Sequence, residues 1–479
     1  MMRILPSLLL LAILPSAGLL AQEPETAASK PATQDETAPE PTSVKHLTQA
    51  ELDAIRDQVQ PLVERYAGRK FASKPKVVLA HNSTVGRILD RELDAQFVKQ
   101  FPNLTKSERK RVVAATASAM SLNLLGKIDT QSQALYILPG MFDILLKSKL
   151  IPAAQERHLL TLVVAHELTH LLQDEAFHLE ERLGALEDQA ELHAFNGAIE
   201  GHATHVQNLV AKDLGLDEAA QAYRDLLLGT RKPSAVGFTQ SYMRALPHIY
   251  YTLGAEFFDS LVKNGGTDAA WKFFENPPKQ STYLFSREAW DPKQVPHANR
   301  DPQRLAGLAK FFGKRPRRIM ASTADQTLLR CFLMKASLEQ ADKLLDPLRR
   351  AWFVQIGILP AMGLTLGMEF EDEASAKRFF EQVPKLVLKE LESSKGYETR
   401  LATETLRADT ETTRQAELGP KETSLIYTFR KGKFGQVKGL LRWHQQGRYV
   451  VQIDIRNLRT QPSGLDAMAT TALALLRQR

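Results

Sequence analysis

The stretch able to do chemistry runs from Leu159 to Glu175, Leu-Leu-Thr-Leu-Val-Val-Ala-His-Glu-Leu-Thr-His-Leu-Leu-Gln-Asp-Glu. It contains His166-Glu167-Leu168-Thr169-His170, a His-Glu-x-x-His motif. On a helix, four steps of ~100° bring His170 to within ~40° of His166, so both imidazoles face the same way. Two nitrogens so placed suit one zinc ion (Zn2+), each about 2 Å from the metal. Glu167 is turned ~100° from His166 and reaches a water on that ion. From Leu159 to Leu172 the only charged or imidazole side chains are His166, Glu167 and His170. The rest is Leu, Val, Ala and Thr, which reads as a helix buried on most sides. An ionised carboxylate in such a helix needs a compensating cation or hydrogen bonds, and a metal supplies the cation.

A catalytic zinc takes three protein ligands and leaves a fourth position to water. The third ligand must come from outside the motif. Gln173 and Ala176 stand where the longer pattern His-Glu-x-x-His-x-x-Gly-x-x-His needs Gly and His. The next helix, expected over Leu186 to Leu214, carries Leu192, Phe195, Ile199, Val206 and Val210 at helical spacing. Glu200 lies beside that stripe, flanked by Asn196, Gly197, Ala203 and Thr204. Such small neighbours let two helix backbones approach closely, as ligands from two helices sharing one ion require. Glu200 is therefore the better candidate. His193 (on the same face), Glu191, His202, His205 and His178 compete, and spacing alone does not exclude His193.

These residues carry a resemblance. His-Glu-Leu-Thr-His-Leu-Leu-Gln-Asp, followed by Ala198-Ile199-Glu200-Gly201-His202-Ala203-Thr204, is similar to the gluzincin group of zinc metallopeptidases. More narrowly it resembles a family of bacterial and archaeal secreted zincins that read His-Glu-x-x-His-x-x-Gln-Asp and then Glu-Gly-Asp-Ala. The resemblance implies His166, His170 and Glu200 as metal ligands and Glu167 as general base. His202 replaces the family's Asp. Further likeness lies in Gly126-Lys127-Ile128-Asp129, Leu135-Tyr136-Ile137-Leu138, Tyr251-x-x-Gly254-x-x-Phe257, Gly265-Gly266 and Pro277-Pro278-Lys279-Gln280-Ser281-Thr282. In that architecture a strand of a small sheet borders the cleft, where an extended peptide substrate can pair with its backbone.

The elements that must position these residues follow in order. Met1 to Ala21 reads as a signal peptide, with Arg3 ahead of an apolar run broken by Pro6 and Pro15. No other run is long and apolar enough to span a bilayer. Residues 22–45 are Pro, Thr, Ala and Glu rich and read as a disordered linker. Gln22 to Val44 carries five acidic residues against Lys30. Removing that −4 and Arg3 from the overall +7 leaves +10 on the remainder, a basic solvated body. Basic tracts such as Lys314-Arg315-Pro316-Arg317-Arg318 lack interleaved aromatics, so no nucleic-acid site is expected. The single cysteine, Cys331, permits no intramolecular disulfide, and the fold must rest on its core.

The expected fold class is α+β. A mostly helical zincin-like domain over residues 46–356 carries a small sheet, and a small α+β module follows over 357–479. Leu47-Thr48-Gln49-Ala50-Glu51 is a capping-box signal for a helix to about Ala67. Pro75 to Ala80 and Ala134 to Leu138 read as strands, with helices near Thr84 to Lys99 and Lys106 to Leu125 between them. Helices are expected over Asp217 to Leu228, Phe238 to Asn264 and Thr323 to Trp352. The segment Pro247-His248-Ile249-Tyr250-Tyr251 offers a Tyr or His to a developing oxyanion. Residues 276–302 read as loop. In the last module Thr365 to Phe370, Ser424 to Arg430, Gly435 to His444 and Arg448 to Ile455 read as strands. Glu373 to Glu392 and Asp466 to Arg477 read as helices, and Ala408 to Lys421 as polar. Together these readings point to an exported zinc-dependent hydrolase, periplasmic or extracellular. Its partner is a peptide or protein substrate, by the resemblance. The alternatives are a structural zinc in an envelope binding protein, and a zinc amidase acting on cell-wall or small amides.

Overall fold

The computed structural model describes residues 44–100, 105–122, 124–147, 150–186, 189–228, 246–285, 305, 307–308, 311, 319–324, 326–333, 338–358, 361–392, 397–405, 421–429, 437–456 and 462–477. The signal-peptide reading, the linker reading up to residue 43 and the polar stretch at 408–420 lie outside them; the last two linker residues instead enter a 3-10 helix (Val44–His46), with Val44 buried in the core. The class is α+β. In the first part, α1 (Gln49–Ala67) leads through β1 (Lys76–Leu79) to α2 (Asn82–Gln100) and α3 (Lys106–Ser121). A hairpin of β2 (Gly126–Asp129) and β3 (Ala134–Ile137) and the short α4 (Pro139–Lys147) precede the central helix α5 (Glu156–Phe177). Helices α6 (Leu179–Ala185), α7 (Gln189–Asp213) and α8 (Asp217–Leu228) follow. A π-helix (His248–Leu253) then runs into α9 (Gly254–Glu275).

Local chemistry sets several of these ends. Thr48 N–H donates to Glu51 Oε2 at 2.8 Å, and Glu51 N–H donates to Thr48 Oγ1 at 3.3 Å. This reciprocal box satisfies two amides that the first turn of α1 leaves without helical partners. Gly68 closes the helix at φ +71°, where a side chain would be strained. Thr105 and Glu108 repeat the box on α3. Helix α5 is the central element because it has no polar face: Leu159 to Asp174 are all buried.

The small sheet has order β1-β3-β2. β1 runs parallel to β3, with Val77 opposite Leu135, and β2 runs antiparallel, with Ile128 opposite Leu135. Side chains from the end of α5 hold the hairpin. Gln133 Nε2 donates to Asp174 Oδ2 at 2.6 Å, and the Leu179 N–H donates to Asp174 Oδ1 at 2.8 Å. Thr130 also bonds Glu180. The Asp of the Gln-Asp pair after the motif thus ties the sheet to the helix that carries it.

The second part is a seven-stranded antiparallel sheet, from β4 (Ile319–Thr323), β5 (Leu348–Ile358), β6 (Ala361–Phe370), β7 (Tyr397–Thr405), β8 (Lys421–Phe429), β9 (Val437–Gln446) and β10 (Tyr449–Arg456), in order β4-β5-β6-β10-β9-β8-β7. Helix α10 (Gln326–Phe332) and α11 (Leu338–Leu345) lie between β4 and β5 in sequence. α12 (Glu373–Glu392) follows β6, and α13 (Pro462–Arg477) closes the described chain. Strand alternation divides the side chains between two faces. Phe353, Leu364, Leu366, Met368, Trp443 and Val450 join α12 in the core that also holds the helical part. Trp352, Val354, Val451, Ile453 and Ile455 pack under Met468, Leu473 and Leu476 of α13.

The expected helix over Thr323 to Trp352 is not formed. Two short helices occupy its middle, and its ends belong to β4 and β5. Ala351-Trp352-Phe353-Val354 sends successive side chains to opposite faces of the sheet, and burial on both faces erases the alternation that signals a strand. β4 and most of β5 also lie before residue 357 and pair into the same sheet as β6. Among the described residues, no helix is long and apolar enough to cross a membrane.

Candidate metal centre

The motif residues lie mid-way along α5, where its buried side chains leave no route for an uncompensated charge. His166, Glu167 and His170 are at most 4% exposed. Glu200 comes from α7, which packs against α5 and buries it to 2%. The His166 and His170 Nε2 atoms lie 3.0 Å apart. Glu200 Oε2 lies 3.1 Å from the first and 3.3 Å from the second. Ligand atoms each ~2 Å from one ion in tetrahedral arrangement are separated by ~3.3 Å, so the triangle has the size of a zinc ligand set. One proton can bridge only one pair of these three atoms, whereas a cation satisfies all of them. This buried group can hold a metal ion, and it is the one such group of His, Cys, Asp or Glu among the described residues.

The electrostatics agree. Burial pushes the Glu200 carboxyl up, but His170 and His166 outweigh it and hold it well below the ordinary carboxylate range. Burial pushes the His166 imidazole down, against the pull of Glu200, which favours the neutral ring that a metal needs. His166 Nδ1 has no hydrogen-bond partner among the described residues. His170 Nδ1 lies 2.8 Å from Gln173 Oε1.

The competing residues are placed elsewhere. His193 is buried, bonded to the Tyr250 hydroxyl, and pushed down to about 3 by burial. His202 lies against Phe258, Trp271 and Phe274, with ring centroids 5.2–5.5 Å away. His205 lies 3.8 Å from Asp259, Glu191 pairs with Lys279 at 2.9 Å, and His178 caps α5 in the left-handed region at φ 49°.

Gly197 and Gly201 do bring two backbones together, but the partner is not α5. A Cβ on Gly201 would fall 2.6 Å from Gly254, at the start of α9, and one on Gly254 would fall 2.9 Å from the Gly197 carbonyl oxygen. This contact seats the π-helix beside Glu200. Its Gly254 N–H donates to Ile249 O, five residues back. The wider turn directs Tyr250 to His193 and Tyr251 to His166, whose ring centroid is 5.7 Å from that of Tyr251. The Tyr251 hydroxyl is buried without a regular hydrogen bond. Burial and the Glu200 charge keep its proton on well above the ordinary range. Tyr223 of α8 also faces the site, and burial, then Glu167 and Glu200, push it up in the same way. Nothing in the sequence around Tyr223 distinguishes it from a core aromatic. Glu167 packs against β2, where a Cβ on Gly126 would lie 3.1 Å from its Cγ.

The fold and site define an α+β protein with a buried two-histidine, one-glutamate group able to hold a metal. No family model matches the chain, and no curated protein matches it. Among solved structures it is weakly similar to a "putative hydrolase with a novel fold" from Chloroflexus aurantiacus. The TM-score is 0.37 at 16% identity, over 51% of this chain and 89% of that one.

Proposed function

We propose that the protein is a zinc-dependent hydrolase of peptides or proteins, exported by the segment Met1 to Ala21. The observation that carries the hydrolase reading is the convergence of His166, His170 and Glu200 with Glu167 next to the first ligand on the same helix. A structural zinc needs four protein ligands, and among the described residues no fourth His, Cys, Asp or Glu joins the three. The peptide substrate rests on the gluzincin resemblance. The Gly126 to Asp129 motif of that resemblance forms β2, and its Gly126 lies against Glu167, which supports that reading.

In this reading His166, His170 and Glu200 hold the ion, which when bound supplies Lewis acidity and makes water acidic enough to be used near neutral pH. Glu167 takes the proton of the attacking water on its carboxylate and passes it to the leaving nitrogen. Tyr251 keeps its proton and offers the hydroxyl hydrogen to the oxygen of the attacked carbonyl. Burial around α5 excludes other water from the reacting groups.

Glu167→Gln tests the proposal. The amide is nearly isosteric and is not a ligand, so zinc content should match wild type. It takes up no proton at neutral pH, so cleavage of an unbiased peptide mixture should fall by ~10²–10⁴-fold. Equal cleavage by both proteins at equal zinc content would refute the mechanism. Cleavage of small or cell-wall amides alone would refute the peptide substrate.

A further inference from the structure

The side chain that follows His170 by one turn has both of its functional ends engaged. Gln173 is fully buried. Its Nε2 donates to the Ile199 carbonyl at 3.1 Å. A carbonyl oxygen receives only a donor, so that bond fixes which end of the amide is which. Oε1 therefore faces His170 Nδ1, 2.8 Å away, and must accept from it. The His170 proton then sits on Nδ1, leaving a lone pair on Nε2, the atom that faces His166 and Glu200. The second Nε2 hydrogen of Gln173 points at His202 Nδ1, 3.0 Å away. That nitrogen must accept, so His202 carries its proton on Nε2. Ile199 immediately precedes Glu200 in α7. One amide thus orients one ligand and anchors the backbone that carries another.

We propose that Gln173 is a positioning residue for the metal, acting through both His170 and the Ile199–His202 segment of α7. The assignment rests on the reading that His166, His170 and Glu200 hold zinc. It explains why a neutral amide serves at this position. A carboxylate accepts from His170 but gives no hydrogen to Ile199, and an aliphatic chain does neither. It also gives His202 a function although it is not a ligand: it closes the far end of the amide inside a cage of Phe258, Trp271 and Phe274.

The test uses the full chain with zinc affinity measured by chelator competition, and histidine-selective ¹⁵N NMR of the metal-free protein. Gln173→Leu should lower zinc affinity by ~10–100-fold, the usual effect of losing a partner behind a ligand histidine. Gln173→Glu should lose less affinity than Gln173→Leu, because its carboxylate still accepts from His170. In the same variant His202 should move its proton to Nδ1 to serve the new acceptor, a change that a packing role would not cause. Wild type should show His170 protonated at Nδ1 and His202 at Nε2. Zinc affinity of Gln173→Leu within twofold of wild type would overturn the proposal. So would the opposite tautomers in wild type, a measurement that stands even if Gln173→Leu fails to fold. Absence of zinc binding by wild type would instead remove the hydrolase reading, while the tautomers still report on the amide.

Discussion

Gly201→Ala should disturb the metal site without touching a ligand. The new methyl would meet the Gly254 Cα and carbonyl carbon at 2.6 Å and its oxygen at 2.8 Å. Ordinary contact begins near ~3.5 Å, so α7 and the start of α9 must part by about 1 Å. All three opposing atoms are backbone, and no rotamer can absorb the clash. Inside a helix, Gly→Ala otherwise stabilises by ~1 kcal/mol. Gly86 in α2 supplies that reference, because a Cβ there meets nothing within 4 Å. Overpacking a close-packed interior costs ~1–3 kcal/mol, so Gly201→Ala should fall below Gly86→Ala by about that amount. Because Glu200 precedes the wedge and Tyr251 lies three residues before Gly254, zinc affinity should drop as well. Urea denaturation of both variants and chelator competition would measure the two effects. If Gly201→Ala matched Gly86→Ala in stability and wild type in zinc affinity, the close helix contact could not be what seats Glu200.

Three further outcomes follow from the site. Glu200→Ala should weaken zinc binding by at least ~10²-fold in a competition titration, whereas His193→Ala, whose imidazole bonds Tyr250, should change it little; the reverse order would require another ligand set. Tyr251→Phe should lower kcat by about 10²-fold at unchanged zinc content and KM, the scale of one lost oxyanion donor, and an unchanged kcat would remove the tyrosine from the mechanism. The metal-free protein should lose stability as pH falls from 6.5 toward 3. His193 is held to about 3 when folded and near 6.5 when unfolded, so the unfolded chain binds the proton first. That amounts to about 2 kcal/mol by pH 5, and urea midpoints of His193→Gln should show a shallower loss; an identical slope would exclude His193 as its source.

Local periods made part of this protein readable in advance. The spacing of His166 and His170 needs only the helical repeat, and an apolar surround of fourteen residues from Leu159 to Leu172 is enough to bury it. The Thr48–Glu51 box likewise spans only four residues, and it formed where the sequence placed it. The helix starts at Asp217 and Glu373 were legible to the residue because amphipathic spacing and acidic first turns mark them. Strands were harder. β7 and the β4–β5 pair draw their stability from neighbours far along the chain, and no local period records those partners.

The site shows the same division at the level of single side chains. His193 and Glu200 are seven residues apart, so they share a helix face to within ~20° but stand ~10 Å apart along the axis. Angular position is written in the sequence; height against α5 is not. Packing of α7 on α5, α9 and the π-helix sets that height, and it brings Glu200 Oε2 within 3.3 Å of both imidazoles while Tyr250 takes His193. Gln173, Tyr223 and Tyr251 acquired their places in the site in the same manner. The sequence offered Gln173 as part of a motif and Tyr251 within a segment of oxyanion candidates, and gave no sign of Tyr223; each matters because packing distant segments in three dimensions turns it toward the same buried point.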